Sequence, residues 1–224
     1  MTFASHTLVK NGTPFIDLVL RQVIPFANRC LITVSTSSDD GTFQLLDKLE
    51  SEHPDKIIIN FENVDSPGEL TQERQALVDE TEEDWILFLD DDDYWPTSSL
   101  ASIMSHMLID IDALAVRPYQ VIDSTRHDAG WGNKWFTKWF KNGGIEYRHP
   151  WPKDLIYKNG ELLYWKKNPR VKRIEVPFFH LSYIKNHSFR LEEWASQYKH
   201  KVGPVAPISE IFTVEMEKIW KKLV

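Results

Sequence analysis

Apolar and polar positions along the first half of the chain fall into blocks that switch between a period of two and a period near 3.6. Thr7-Leu8-Val9 reads as a short strand, and from Pro14 to Val23 the residues Phe15, Leu18, Val19 and Val23 recur at helical spacing. Cys30 to Val34 is a β-branched run that predicts a strand. After the turn Asp39-Asp40-Gly41-Thr42, Phe43 to Leu49 predicts a short helix and Lys56 to Phe61 a third strand. Gly68 to Thr81 is polar and helix-prone, and Trp85 to Leu89 is a fourth strand. Thr97 is placed to cap a helix with the stripe Leu100, Ile103, Met104, Met107 and Leu108, and Ala113 to Val116 predicts a further strand. Alternation of this kind predicts an α/β fold: a mainly parallel, Rossmann-like central sheet with helices on both faces.

Near residue 123 the pattern changes. Trp131, Trp135, Trp139, Tyr147, Trp151, Tyr157, Tyr164 and Trp165 crowd together with Gly and Pro between them. Aromatic faces suit sugar rings or bases, and a small aromatic core beneath long loops explains them equally well. From Ile208 onward, Ile211, Phe212, Ile219, Trp220 and Leu223 predict an amphipathic helix docked on the domain. Lys218, Lys221 and Lys222 lie beside that stripe, which leaves peripheral membrane association open. The expected organisation is a single domain over 1–224: a strand–helix half over 1–120, an aromatic-rich segment over 121–200 and a C-terminal helix over 205–224.

Composition narrows the class. The 224 residues are 42% hydrophobic and 26% charged, as in an ordinary globular domain. The formal net charge of −7 argues against a nucleic-acid partner, which would favour a basic balance. Cys30 is the single cysteine, so no intrachain disulfide exists, and its place in an apolar run reads as a buried structural thiol. No signal peptide is evident at the N-terminus and no apolar run approaches about 18 residues. A cytoplasmic protein without a transmembrane segment is expected.

Four consecutive carboxylates, Asp90 to Asp93, end the fourth predicted strand. Like charges brought together and partly desolvated need a cation, and oxygen ligands suit Mg²⁺ or Mn²⁺ completed by phosphates. Ligands of open α/β sheets bind beyond the carboxyl ends of the strands. A solvated acidic turn closed by Tyr94-Trp95-Pro96 is the competing reading.

Several segments, taken in order, resemble the GT-A glycosyltransferases, in particular family 2. Leu8-Val9-Lys10-Asn11 resembles a first-strand segment that ends in Lys-Asn-Glu in some members, with Gly12 standing in place of the Glu. Ser38-Asp39-Asp40-Gly41-Thr42 resembles the turn after the second strand, and Glu73-Arg74-Gln75 occupies the place of an Arg-Asn pair. Phe88 to Asp93 resembles the motif with a D-x-D core, here Asp90 and Asp92. Lys153-Asp154, followed by His180 at the end of Val176-Pro177-Phe178-Phe179, resembles the family's Glu-Asp … His tail. The resemblance spans roughly residues 7–183.

What the resemblance implies is transfer of a sugar, hexosyltransferase-like and inverting, from a nucleotide-diphosphate sugar to the hydroxyl of a carbohydrate or glycoconjugate, assisted by Mn²⁺ or Mg²⁺. A uridine nucleotide is the favoured carrier. The 1–120 half would hold nucleotide sugar and metal, and 121–200 the acceptor. Asp92 would bind the metal, with His180 completing its shell. Val9, Asn11, Ser35, Thr36, Arg74, Asp90 and Asp91 would line the donor, and Asp154 would be the general base, with Glu146 and Asp128 in reserve. Two departures stand out. Ser35 and Thr36 replace the carboxylates that commonly read base and ribose, and Lys153 replaces the Glu of the tail pair. They keep open a catalytically inactive, transferase-like binding module. A sugar-phosphate nucleotidyltransferase fits less well, because residues 8–16 hold no Gly-rich triphosphate loop.

Overall fold

The computed structural model describes residues 1–121, 134–150 and 155–181, together with the backbone of two strands at 126–128 and 205–207. The elements in chain order are β1 (Phe3–Val9), α1 (Phe15–Val23), β2 (Arg29–Ser35), α2 (Thr42–Glu52), β3 (Ile57–Glu62), α3 (Pro67–Glu80), β4 (Trp85–Phe88), β5 (Asp93–Tyr94) and α4 (Thr97–His106). They continue with β6 (Ala113–Val121), β7 (Arg126–Asp128), β8 (Phe136–Lys141), β9 (Ile145–Arg148), β10 (Leu155–Lys158), β11 (Glu161–Leu162), β12 (Val171–His180) and β13 (Val205–Pro207).

One large sheet runs in the order β13-β7-β6-β8-β4-β1-β2-β3, and β12 pairs with β6 and β5. The half β3-β2-β1-β4 is parallel, as the strand–helix alternation predicts. Beyond β4 the pairing becomes mixed. β8 runs antiparallel to both β4 and β6, while β12 lies parallel to β6. A separate antiparallel sheet, β9 to β11, is formed within the aromatic-rich segment.

Successive residues of β4 point to opposite faces, and each face has its own core. Trp85 and Leu87 join the larger cluster, which α1 supplies through Ile16, Val19, Leu20 and Val23, α2 through Leu46 and Leu49, and α4 through Leu100 and Ile103. Ile86 joins the second cluster with Val78 of α3, Phe140, Ile145 and Leu163, so α3 and the small sheet cover that face. The aromatic segment divides between the two earlier readings. Trp139 is fully buried against Phe3 and Trp95, with ring centroids 4.9 and 5.9 Å away. Trp135 and Trp165 remain half-buried at the rim of the second cluster. Trp131 and Trp151 lie outside the described residues, as does the expected C-terminal helix. Cys30 is buried, and burial pushes its thiol up to about 11, the inert structural thiol expected.

Two helix ends differ from expectation. Thr97 is the first residue of α4 rather than its cap; Pro96 holds the cap position and supplies no side-chain bond. Leu108, assigned to the apolar stripe, lies beyond the helix and is exposed. α3 begins at a capping box: the Ser66 hydroxyl accepts from the Glu69 amide, and the Glu69 carboxylate accepts from the Ser66 amide.

Candidate active site

The four aspartates occupy the loop from β4 into β5, at the carboxyl end of the parallel half of the sheet. Pairing of β5 with β12 sets Asp93 opposite His180 and Tyr94 opposite Phe179. The Leu181 amide donates to the Asp92 carbonyl at 2.8 Å and closes the same junction. Two segments 87 residues apart are thereby fixed side by side.

His180 Nδ1 lies 2.8 Å from Asp93 Oδ1 and 3.4 Å from Asp92 Oδ1. Burial alone would lower the imidazole's pKa, but the carboxylates of Asp92, Asp93 and Asp90 outweigh it and push it up to about 9. A proton on His180 neutralises part of the cluster. Asp92, Asp93 and His180 each offer a ligand atom within 4.8 Å of the others. Two carboxylates and one imidazole make a mixed oxygen–nitrogen donor set that fits a divalent ion such as Mn²⁺.

A second cation is built into the fold. Lys138 of β8 is buried, and its Nζ donates to Asp90 Oδ2 and Asp93 Oδ2, each at 2.6 Å. Burial works against the ammonium, but Asp90 and Asp93 hold its pKa above the ordinary lysine value. Its Nζ also lies 4.5 Å from the Phe88 ring centroid. Arg74, buried on α3, stacks on the other part of this shelf, 4.2 Å from the Phe88 centroid, and reaches within 3.9 Å of Asp90. Burial would raise the Asp90 carboxyl, yet Lys138 and Arg74 bring it down to about 2. Asp90 is therefore tied to the protein's own cations, while Asp92, Asp93 and His180 form the group able to hold an added one.

The remaining expected residues are distributed around this centre. Val9 points into the main core, so only its backbone borders the site. Asn11 has a left-handed φ of 54° and accepts at its Oδ1 from the Asp39 amide at 2.9 Å, tying the loop after β1 to the loop after β2. Gly12 has no room for a side chain: a Cβ there would overlap Val9 and come within 3.2 Å of Asp91 Oδ2. A Glu cannot stand at that position, and Asp91 occupies the adjoining space. Ser35 is buried at the end of β2, and Thr36 is exposed beside it. Glu146 is exposed and pairs with Arg148 at 2.6 Å. Asp154 and the Asp128 side chain lie outside the described residues.

Two residues were not expected. Besides Lys138, Asp65 in the loop from β3 to α3 accepts from Ser37 at 2.7 Å, from Ser35 at 3.2 Å and from Lys10 at 2.7 Å. These donors, Lys10 and Ser37 foremost, hold its carboxyl below the usual range. The Asp65 amide donates to the capping Glu69, so the start of α3 positions this carboxylate. A carboxylate thus stands at the end of β2, delivered by the next loop.

Parallel β3-β2-β1-β4 order, an acidic loop after the central strand and a histidine returned by a late strand make this a GT-A fold of the glycosyltransferase class. Residues 13–180 match the sequence profile of Glycosyl transferase family 2, and the chain belongs to that family. No curated protein matches it. Among solved structures it is similar to residues 1–349 of S. aureus TarS in complex with UDP, at 20% identity and a TM-score of 0.47, over 55% of this chain and 37% of that one. It is also similar to the mannosyltransferase PcManGT from Pyrobaculum calidifontis in complex with GDP-Man and Mn²⁺, at 16% identity and a TM-score of 0.42, over 53% and 35% of the two chains. A third, GalNAc-T7 with UDP, GalNAc and Mn²⁺, shares 14% identity at a TM-score of 0.40, over 53% and 23%. The chain spans little more than a third of the length of the first two. No helix among the described residues is long and apolar enough to cross a membrane.

Proposed function

We propose that the protein is a metal-dependent, inverting glycosyltransferase that moves a sugar from a nucleoside-diphosphate donor to an acceptor hydroxyl. The convergence of Asp92, Asp93 and His180 at the carboxyl end of the parallel sheet carries this reading. When bound there, Mn²⁺ or Mg²⁺ supplies Lewis-acid stabilisation for charge that develops on the departing diphosphate. Asp92, Asp93 and His180 would hold the ion. Lys138 fixes Asp93, together with its neighbour Asp90, so that ligand carboxylate is set before the donor arrives. Arg74 offers a planar guanidinium beside Asp90 for phosphate or ribose.

Ser35, Thr36, Asn11 and Asp91 border the place for the nucleoside, and Asp65 supplies there the carboxylate that the Ser35-Thr36 pair lacks. In an inverting displacement the acceptor oxygen bonds to the anomeric carbon as the bond to the diphosphate breaks. A base takes the hydroxyl proton, and Asp154 is assigned that role. A uridine nucleotide is the favoured donor carrier, and a carbohydrate or glycoconjugate the acceptor.

The test is a thermal-shift panel of UDP, GDP, dTDP, CDP and ADP, each with Mn²⁺, Mg²⁺ or EDTA. A nucleotide at a hundredfold excess over its Kd stabilises by about 2.7 kcal/mol, a readily measured shift. Stabilisation by one nucleotide, lost in EDTA and in Asp92→Ala, is the expected result. No shift with any nucleotide in a cooperatively melting protein would count against a transferase.

A further inference from the structure

The strands that bring Lys138 and His180 to the acidic loop also build a second cluster. Trp135 stands just before β8, Arg117 lies on β6, Arg173 on β12, and Trp165 in the turn between β11 and β12. The Arg173 guanidinium lies over both indoles, 5.2 Å from the Trp135 centroid and 4.6 Å from that of Trp165. Arg117 approaches Trp135 at 5.9 Å, and Lys166 approaches Trp165 at 5.1 Å. The two indoles are 6.4 Å apart, and Tyr164 packs 5.9 Å from Trp165.

Both indoles cover the second core, and that explains their inner edges. It does not explain the cations. Arg21, Arg29, Arg148 and Arg170 each pair with a carboxylate, and Arg117 pairs with Glu175 at 3.2 Å. Among the described residues, no carboxylate lies within ion-pair distance of Arg173, Lys166, Lys167 or Lys172. A guanidinium stacked between aromatic faces keeps its N–H edge open for an oxyanion and loses little freedom on binding one. In a chain of net charge −7, this is a local excess of positive charge beside flat aromatic surface.

Strand register locates the cluster. Arg173 pairs with Ala115, and Ala115 pairs with Thr137, the neighbour of Lys138. Trp135 lies two residues further along the direction in which β4 ends at the acidic loop. With about 4.8 Å between adjacent strands, three steps set Arg173 on β12 roughly 15 Å from β4 across the sheet, while Trp135 at the head of β8 lies one step away.

We propose that this cluster is an acceptor subsite for an anionic glycan. The half-exposed edges of Trp135 and Trp165 border a sugar ring, and Arg173, held flat over both indoles, grips with Lys166 a carboxylate or phosphate group carried by the same chain. The assignment rests on the glycosyltransferase reading and adds the acceptor class.

The experiment titrates the full chain with hexagalacturonate, with neutral maltohexaose and with inorganic polyphosphate, following tryptophan fluorescence. Phosphatidylglycerol vesicles serve as a fourth arm, read by co-sedimentation. Hexagalacturonate is expected to bind at least tenfold more tightly than maltohexaose and more tightly than polyphosphate, which has no sugar ring to meet the indole edges. Arg173→Ala should weaken it at least tenfold, and Arg173→Lys by less. Equal affinity for the two hexamers, binding of neither, or binding indifferent to Arg173→Ala overturns the proposal. So does a preference for the vesicles or for polyphosphate, which would make the patch a membrane surface or a plain anion site. The Mn²⁺–nucleotide thermal shift, measured alongside, separates the two readings. If hexagalacturonate binds but no nucleotide does, the transferase reading falls and the glycan site stands.

Discussion

Replacing Lys138 by methionine, which has nearly the same length and no charge, should have two opposite effects. The Asp93 side chain is fully buried, and Lys138 and His180 are its charged partners. Removing one partner of a buried ion pair typically costs 3–5 kcal/mol. The lower end applies here, because the Asp90 side chain is 36% exposed and can hydrate. A loss of about 3 kcal/mol in a chain of this size lowers the melting temperature by roughly 6–12 °C. Metal binding should respond in the opposite sense. An ammonium and a divalent ion sharing Asp93 repel each other, and within about 10 Å at an effective dielectric near 20 the repulsion is about 3 kcal/mol. Even after rearrangement of the freed carboxylates, Lys138→Met should bind Mn²⁺ at least tenfold more tightly than the wild type. Saturating Mn²⁺ should then restore most of the lost melting temperature. Calorimetric melting with and without Mn²⁺ reads both effects. A metal-free variant that melts with the wild type, or a variant with equal or weaker Mn²⁺ affinity, would refute the placement of Lys138 beside the metal ligands.

Mn²⁺ must displace the proton that the carboxylates hold on His180 up to about pH 9, so its affinity should rise about tenfold per pH unit between 7 and 9 and then level. A flat profile by titration calorimetry would rule this out, and His180→Gln should flatten it. His6 carries the opposite linkage. Burial first, and Arg29 second, lower its imidazole to about 3, so the unfolded chain takes up a proton below about 6.5 that the folded chain refuses. Stability is lost as pH falls from 6.5 towards 3, by about 2 kcal/mol at pH 5. Urea unfolding should show that loss in the wild type and not in His6→Gln. Asp154→Asn should lower kcat by a hundredfold or more while donor KM changes little, whereas equal losses in both would indicate a structural role. Asp65→Asn should weaken nucleotide binding about tenfold without changing the affinity for Mn²⁺ alone, as a comparison of the two titrations will show.

The parallel half of the fold was legible because each of its elements is set by local rules. β-branched runs mark β2 and β3, and an apolar stripe at helical spacing marks α1. The mixed half was less so. β8 and β12 pair with strands far away in sequence, and nothing local in Phe136 to Lys141 says that this segment will insert between β4 and β6. The capping box at Ser66 and Glu69 was readable as a helix start at the head of the polar stretch. It matters beyond the helix, because it also positions Asp65.

The site shows the same division between what one segment encodes and what pairing creates. Four adjacent carboxylates announce a need for cations, and the expectation looked outward to a metal. Part of the answer lies inside the chain. Two residues along β8, beyond the irregular pairing at Thr137, Lys138 shares its face with Phe140, and Phe140 is fully buried in the second core. A lysine on the same face as a core phenylalanine must carry its charge inward, and an inward ammonium needs carboxylates to receive it. The unpaired charges of Asp90 to Asp93 and the inward charge of Lys138 are two halves of one constraint, legible together though not apart. Once Lys138 satisfies Asp90 and half of Asp93, the group able to hold a divalent ion is the expected Asp92 and His180 joined by Asp93. The charge that remains for a metal is therefore decided by β8, a strand outside the motif itself.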